Sequence, residues 1–147
     1  MYIIVLLKQS QDAKPYVRSS LMKTWLNAWT TTRRMNEAKR ETCLFGCTQA
    51  HHYSHDVVIE AKDDLEHYLC CDRLWFILDV LGPLPTGATG RLAMLPLTLA
   101  SAVRLAAAFY IYHAVKFSKD MGSGIRQSSN WQALLRPYAK RAYVAVS

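Results

Sequence analysis

Cysteine is scarce in this chain, and where it occurs it is clustered. Four cysteines among 147 residues are too few for the disulfide-dense scaffolds of small secreted domains, and all four fall between Cys43 and Cys71 with histidines among them. Metal binding in a reducing compartment accounts for that clustering. The first residues, Met1 to Leu7, lack a basic n-region and a small-residue cleavage site, and their apolar run is too short for a signal peptide. They are expected to form a buried strand or a helix start, or to be the cut edge of something larger. Internal repeats and low-complexity tracts are missing. So is a phosphate-cradling loop, because Gly87 and Gly90 are not followed by the Lys-Ser/Thr of a P-loop. A zinc-deaminase signature needs Glu two residues after a ligand His and a later Pro-Cys-x-x-Cys, and neither is present.

Acidic residues are thin at both ends. Residues 1–42 carry eight Lys/Arg against three acids, and residues 116–147 carry six against one. The stretch between them holds four basic and seven acidic residues, and the whole chain has a net charge of +7. Basic ends around an acidic middle suit contact with a polyanion, most often nucleic acid. Hydrophobic residues make up 51% of the chain and charged residues 20%, which supports a packed core in a chain of one-domain length.

Periodicity predicts a mainly α-helical fold. Lys14 to Arg40 reads as helical: Pro15 suits a first turn, where its missing N–H does no harm. Val17, Leu21, Trp25, Leu26 and Trp29 form an apolar stripe, and Thr30-Thr31-Thr32 is a candidate break. The β-branched run Val57-Val58-Ile59 predicts one short strand. Asp63 with Glu66 predicts a capping box and a helix from about Asp64 to Leu81, closed by the loop Gly82 to Gly90. Leu92 to Phe117 is long enough to span a membrane, but a central Arg104 costs roughly 2.5–3.5 kcal/mol there. A core helix burying Leu99, Val103, Ala106, Tyr110 and Ala114 is the better reading. Asn130 or Ser129 would cap a last helix through Trp131, Leu134 and Leu135, which Pro137 would interrupt.

Chemistry concentrates in Cys43-Leu44-Phe45-Gly46-Cys47 and Asp64-Leu65-Glu66-His67-Tyr68-Leu69-Cys70-Cys71. A glycine turn lets two thiolates face inward, and His67 with Cys71, at i and i+4, share a helix face. Cys70, at i+3, rivals Cys71 as the fourth ligand. Three sulfurs and an imidazole make a zinc set, and four protein donors describe a closed structural site. A hydrolytic site keeps one position for water, and a Cys70–His67 nucleophile pair is poorly placed on one helix; the expectation is a non-enzyme. His51, His52 and His55 form a second imidazole cluster, read as exposed loop residues.

These residues resemble a known family. Thr24-Trp25-Leu26-Asn27-Ala28-Trp29, Arg33-Arg34, the CxxxC pair and Asp64 to Trp75 look like the zinc-binding region downstream of the polymerase in non-LTR retroelement reverse transcriptases. The resemblance covers roughly residues 20–80. It implies Cys43, Cys47, His67 and Cys71 as ligands, with Trp75 packed beneath them. Departures are the spacing of three within the first pair and Asp72 where proline is often found. The chain is too short to hold the polymerase and offers no aspartate pair in a strand-turn setting. The resemblance therefore implies an accessory module that contacts nucleic acid.

The expectation is a single domain over 1–147, with a zinc core at about 20–81 and a helical C-terminal extension at about 91–147. It would be intracellular, in nucleus or organelle, and would bind RNA or single-stranded DNA through Arg33, Arg34, Lys39, Arg40, Arg136, Lys140 and Arg141, with Trp25 and Trp29 weighed as base-stacking faces against core packing. The alternative is an accessory subunit of an organellar ribonucleoprotein or membrane complex, its helices packing against protein subunits.

Overall fold

Helix α1 (Pro15–Trp25) starts as its sequence requires, with Pro15 in the first turn behind Lys14 at the N-cap. The structure, a computed structural model, describes residues 12–39, 41–50, 58–78, 98–118 and 124–147. Helix α1 buries Val17, Leu21, Thr24 and Trp25. It ends well short of Arg40, because Asn27 takes a left-handed conformation (φ 51°) that turns the chain away. The stripe is therefore cut: Leu26 is 64% exposed, whereas Trp29 is fully buried beyond the helix.

A two-stranded antiparallel ribbon follows, β1 (Thr48–Ala50) with β2 (Val58–Glu60), Gln49 opposite Ile59. The expected strand is there, and a partner strand comes with it, since an unpaired strand leaves its backbone groups unsatisfied. Pairing resumes at Thr42 with Lys62. Thr42 and Thr48 thus bracket five residues against the single Ala61 on the other side, and those five are the Cys43–Cys47 loop. Ala61 holds its neck, accepting from the Cys43 N–H and donating to the Cys47 carbonyl.

The helix predicted from Asp64 to Leu81 is two helices, α2 (Leu65–Tyr68) and α3 (Asp72–Leu78), with a break at Leu69–Cys71. The cap is Asp64, whose side chain accepts from the His67 N–H at 2.8 Å, and not Asp63. Residues 79–97, with the Gly82–Gly90 loop, Met1–Leu7 and the histidines at 51, 52 and 55 lie outside the described residues.

Helix α4 (Leu99–Lys116) opens with a reciprocal capping box between Thr98 and Ser101. Its inner face is rotated from the expected one: Ala102, Leu105, Ala106, Phe109 and Tyr112 are buried, while Leu99 is 48% exposed. Apolar residues encircle this helix, so its sequence sets no phase; its neighbours α1, α3 and α6 do. No helix among the described residues is long and apolar enough to cross a membrane. Short α5 (Gly124–Gln127) leads to α6 (Trp131–Val146), with Asn130 at the N-cap position but no side-chain capping bond, and the helix runs unbroken through Pro137. Pro137 removes the donor for the Ala133 carbonyl, but both residues are exposed, so that oxygen is open to solvent. Buried residues from Ala13 to Leu78 and from Ala102 to Val146 form one hydrophobic cluster.

Candidate metal centre

The Cys43–Cys47 loop is closed by the Gly46 N–H donating to the Cys43 carbonyl at 3.0 Å. Gly46 has φ 74°, and a Cβ there would meet the Arg126 carbonyl oxygen at 2.6 Å. Glycine is needed twice over, for the turn and for the close approach of the backbone at Arg126, on the short helix before Trp131. Arg73 clamps the loop from α3, donating to the Phe45 carbonyl at 2.8 Å while its guanidinium covers the Trp131 ring at 5.0 Å.

Cys43, Cys47, His67 and Cys71 converge, with all four ligand atoms within 4.8 Å of one another, close enough to hold a metal ion. All four residues are buried. Cys71 occupies the α2–α3 break and is not on a continuous helix with His67; the break aims its sulfur back at the loop. Cys70 is exposed and directs its thiol to the Glu66 carbonyl at 3.4 Å. A tetrahedron with zinc–sulfur bonds of about 2.3 Å sets sulfurs about 3.8 Å apart. The Cys43–Cys71 sulfur separation is 3.8 Å, and Cys47–Cys71, at 3.2 Å, is somewhat tighter.

The imidazole supplies the test of fit. Both ring nitrogens of His67 are buried without a hydrogen-bond partner, an arrangement that costs free energy unless something satisfies it. A divalent ion at the centre of the cluster would take one of them as a ligand. Electrostatics agree. Burial alone would lower the His67 pKa, but the sulfurs of Cys43 and Cys47 outweigh it and raise the value to about 9. Hydrogen bonds from Cys43 and Cys71 hold the Cys47 thiol far below its usual range, and burial pushes Cys71 up. The pocket thus favours a cation beside a thiolate, and a bound metal ion would displace the protons.

Beneath the cluster, the fully buried Tyr68 accepts from the Leu44 N–H at 3.0 Å and donates to Asp63 at 2.5 Å. Asp63 is 2% exposed and also receives the Thr32 N–H (2.8 Å) and the Lys116 ammonium (3.2 Å). Asp63 and Arg73 had no role in the sequence reading beyond a supposed cap, because their partners are distant in the chain. Trp75 does anchor here, its indole N–H donating to the Tyr68 carbonyl at 3.1 Å.

The basic residues fall in two places. Arg33, Arg34 and Lys39 lie exposed on the turns after α1, with Arg33 3.9 Å from Asp64 and Lys39 3.3 Å from Glu41; Arg40 is outside the described residues. Arg136, Lys140 and Arg141 are exposed on α6, Arg141 lying over the Tyr138 ring. Trp25 and Trp29 are not stacking faces. Trp29 donates to the Thr24 hydroxyl and packs among Tyr68, Phe109 and Tyr112 at ring-centre distances of 5.1–6.0 Å. Compared with protein-family models, curated proteins and solved structures, the chain matches none.

Proposed function

We propose that this chain is a non-catalytic, zinc-stapled module of the kind found downstream of the polymerase in non-LTR retroelement reverse transcriptases, and that it contacts RNA or single-stranded DNA. The observation that carries the metal half is the convergence of three sulfurs and an otherwise unpartnered imidazole in a buried cluster. Four protein donors fill zinc's tetrahedron and leave no position for a reacting water. Thiolate ligation suits a reducing compartment. The nucleic-acid half draws on the net charge of +7 and on the exposed cations Arg33, Arg34, Lys39, Arg136, Lys140 and Arg141, which would neutralise phosphates. A role as an accessory subunit is the second reading, favoured by apolar side chains left exposed on α3 and α6.

Elemental analysis and binding measurements test both halves. Chain purified without chelators should carry one zinc per molecule. Cys71→Ser should lose it, and Cys70→Ser should keep it; the reverse pattern would sink the ligand assignment. Affinity for a single-stranded oligonucleotide should fall linearly on a log–log salt plot, and removing one phosphate-contacting cation should reduce that slope by about one. Affinity indifferent to salt would overturn the nucleic-acid role.

A further inference from the structure

Helix α6 carries apolar side chains on two faces, and among the described residues only one is covered. Leu135, Ala142 and Val146 are buried against the body of the protein. On another side Arg136, Lys140, Tyr143 and Val144 follow at i, i+4, i+7 and i+8, and with Phe76 and Ile77 of α3 they line an open groove of about 740 Å³. Phe76 is 55% exposed, Tyr143 52% and Val144 74%. Outward faces of terminal helices are normally polar, so an apolar channel between two helices marks a surface built for contact.

We propose that this groove receives an acidic amphipathic helix of a partner protein. Shape and apolarity come first: an open trough between Phe76 and Ile77 of α3 and the side chains of α6 fits the apolar stripe of a helix. Ile77, Ala139 and Val144 put aliphatic surface beside the Phe76 and Tyr143 rings, which suits the apolar stripe of a helix. Charge selects the sign. Arg136 and Lys140 stand on the wall, α6 carries no Asp or Glu, and Asp72, the one acid of α3, is not among the lining residues. A second copy of the same groove would set these cations against each other. Residues 79–97 of this chain carry only Asp79 and Arg91, so they offer no net negative charge. Carboxylates flanking a leucine stripe would meet Arg136 and Lys140 while the stripe covers Phe76, Tyr143 and Val144.

The test uses the full chain with zinc bound and two labelled synthetic helices. Both share a leucine stripe at i, i+3, i+4 and i+7; one carries Glu elsewhere and the other Lys. Fluorescence anisotropy should show saturable binding of the Glu helix and binding at least about tenfold weaker for the Lys helix. Val144→Glu and Phe76→Ala should each weaken the Glu helix by about tenfold or more, with zinc content and thermal melting unchanged. Equal affinity for the two helices, or binding indifferent to both substitutions, would overturn the proposal. So would an equal loss of oligothymidylate affinity in Phe76→Ala, which makes the groove a nucleic-acid site, or self-association abolished by Val144→Glu, which assigns it to a second copy. Arg136 and Lys140 serve both readings, but neither Phe76 nor Val144 belongs to the metal cluster or the cationic set, so these two substitutions separate the groove from the zinc and salt-series results.

Discussion

Gly46 is where a single atom matters most. Its positive φ costs an L-residue roughly 1–2 kcal/mol, and its Cβ would press on the Arg126 carbonyl. Gly46→Ala is therefore expected to lower zinc affinity by about tenfold or more, measured by competition with a chromophoric chelator. Unchanged affinity would show that the loop does not need this turn. The adjacent pair Cys70 and Cys71 makes a related point. Sequence spacing left either thiol as a ligand, since both lie within one turn of His67. The α2–α3 break decides between them by facing one sulfur inward and the other to solvent.

Helices were read well where one residue type dictates an end, and poorly where neighbours decide. Pro15 marked the start of α1 because proline fixes φ and lacks a donor. Its end at Trp25, before the left-handed Asn27, has no counterpart in the sequence pattern, since a left-handed asparagine has no signature beyond being permitted. In α4 apolar residues on several sides hid which face turns inward. The grouping of Cys43, Cys47, His67 and Cys71 was legible because the turn pair and the His67–Cys71 separation are short in the chain, although no continuous helix joins the second pair; Asp63, Arg73 and the aromatic cluster around Trp29 were not, because their partners arrive from distant segments. Helix α6 overrode its proline. With Pro137 exposed and tertiary packing holding Leu135 and Ala142, the helix survives the missing bond. Replacing Pro137 with Ala restores a donor to the Ala133 carbonyl and should raise stability by roughly 1–3 kcal/mol. Thermal melts of the zinc-bound protein check this, and an unaltered midpoint would mean that Pro137 costs the helix nothing.

Across the whole molecule, Asp63 ties together pieces that contact one another little in sequence. Its carboxylate holds the Thr32 turn, the Tyr68 hydroxyl below the metal cluster and Lys116 at the end of α4. Removing one partner from a buried ion pair leaves the other uncompensated, at about 3–5 kcal/mol. Asp63→Asn and Lys116→Met are each expected to fall in that range by urea denaturation at constant zinc. The double variant should cost less than the sum of the two. Strict additivity, or a midpoint indifferent to Asp63→Asn, would show that the carboxylate is not a shared anchor.

The same aromatic packing limits how far this protein can be trimmed. Phe109 and Tyr112 roof over Trp29 and Tyr68, so a peptide excised after residue 78 would keep all four residues of the candidate cluster yet lose the lid on its own interior. Such a minimal finger should chelate zinc as a loosely ordered, sticky fragment, and transplanting the motif onto another scaffold would require bringing its C-terminal helices along.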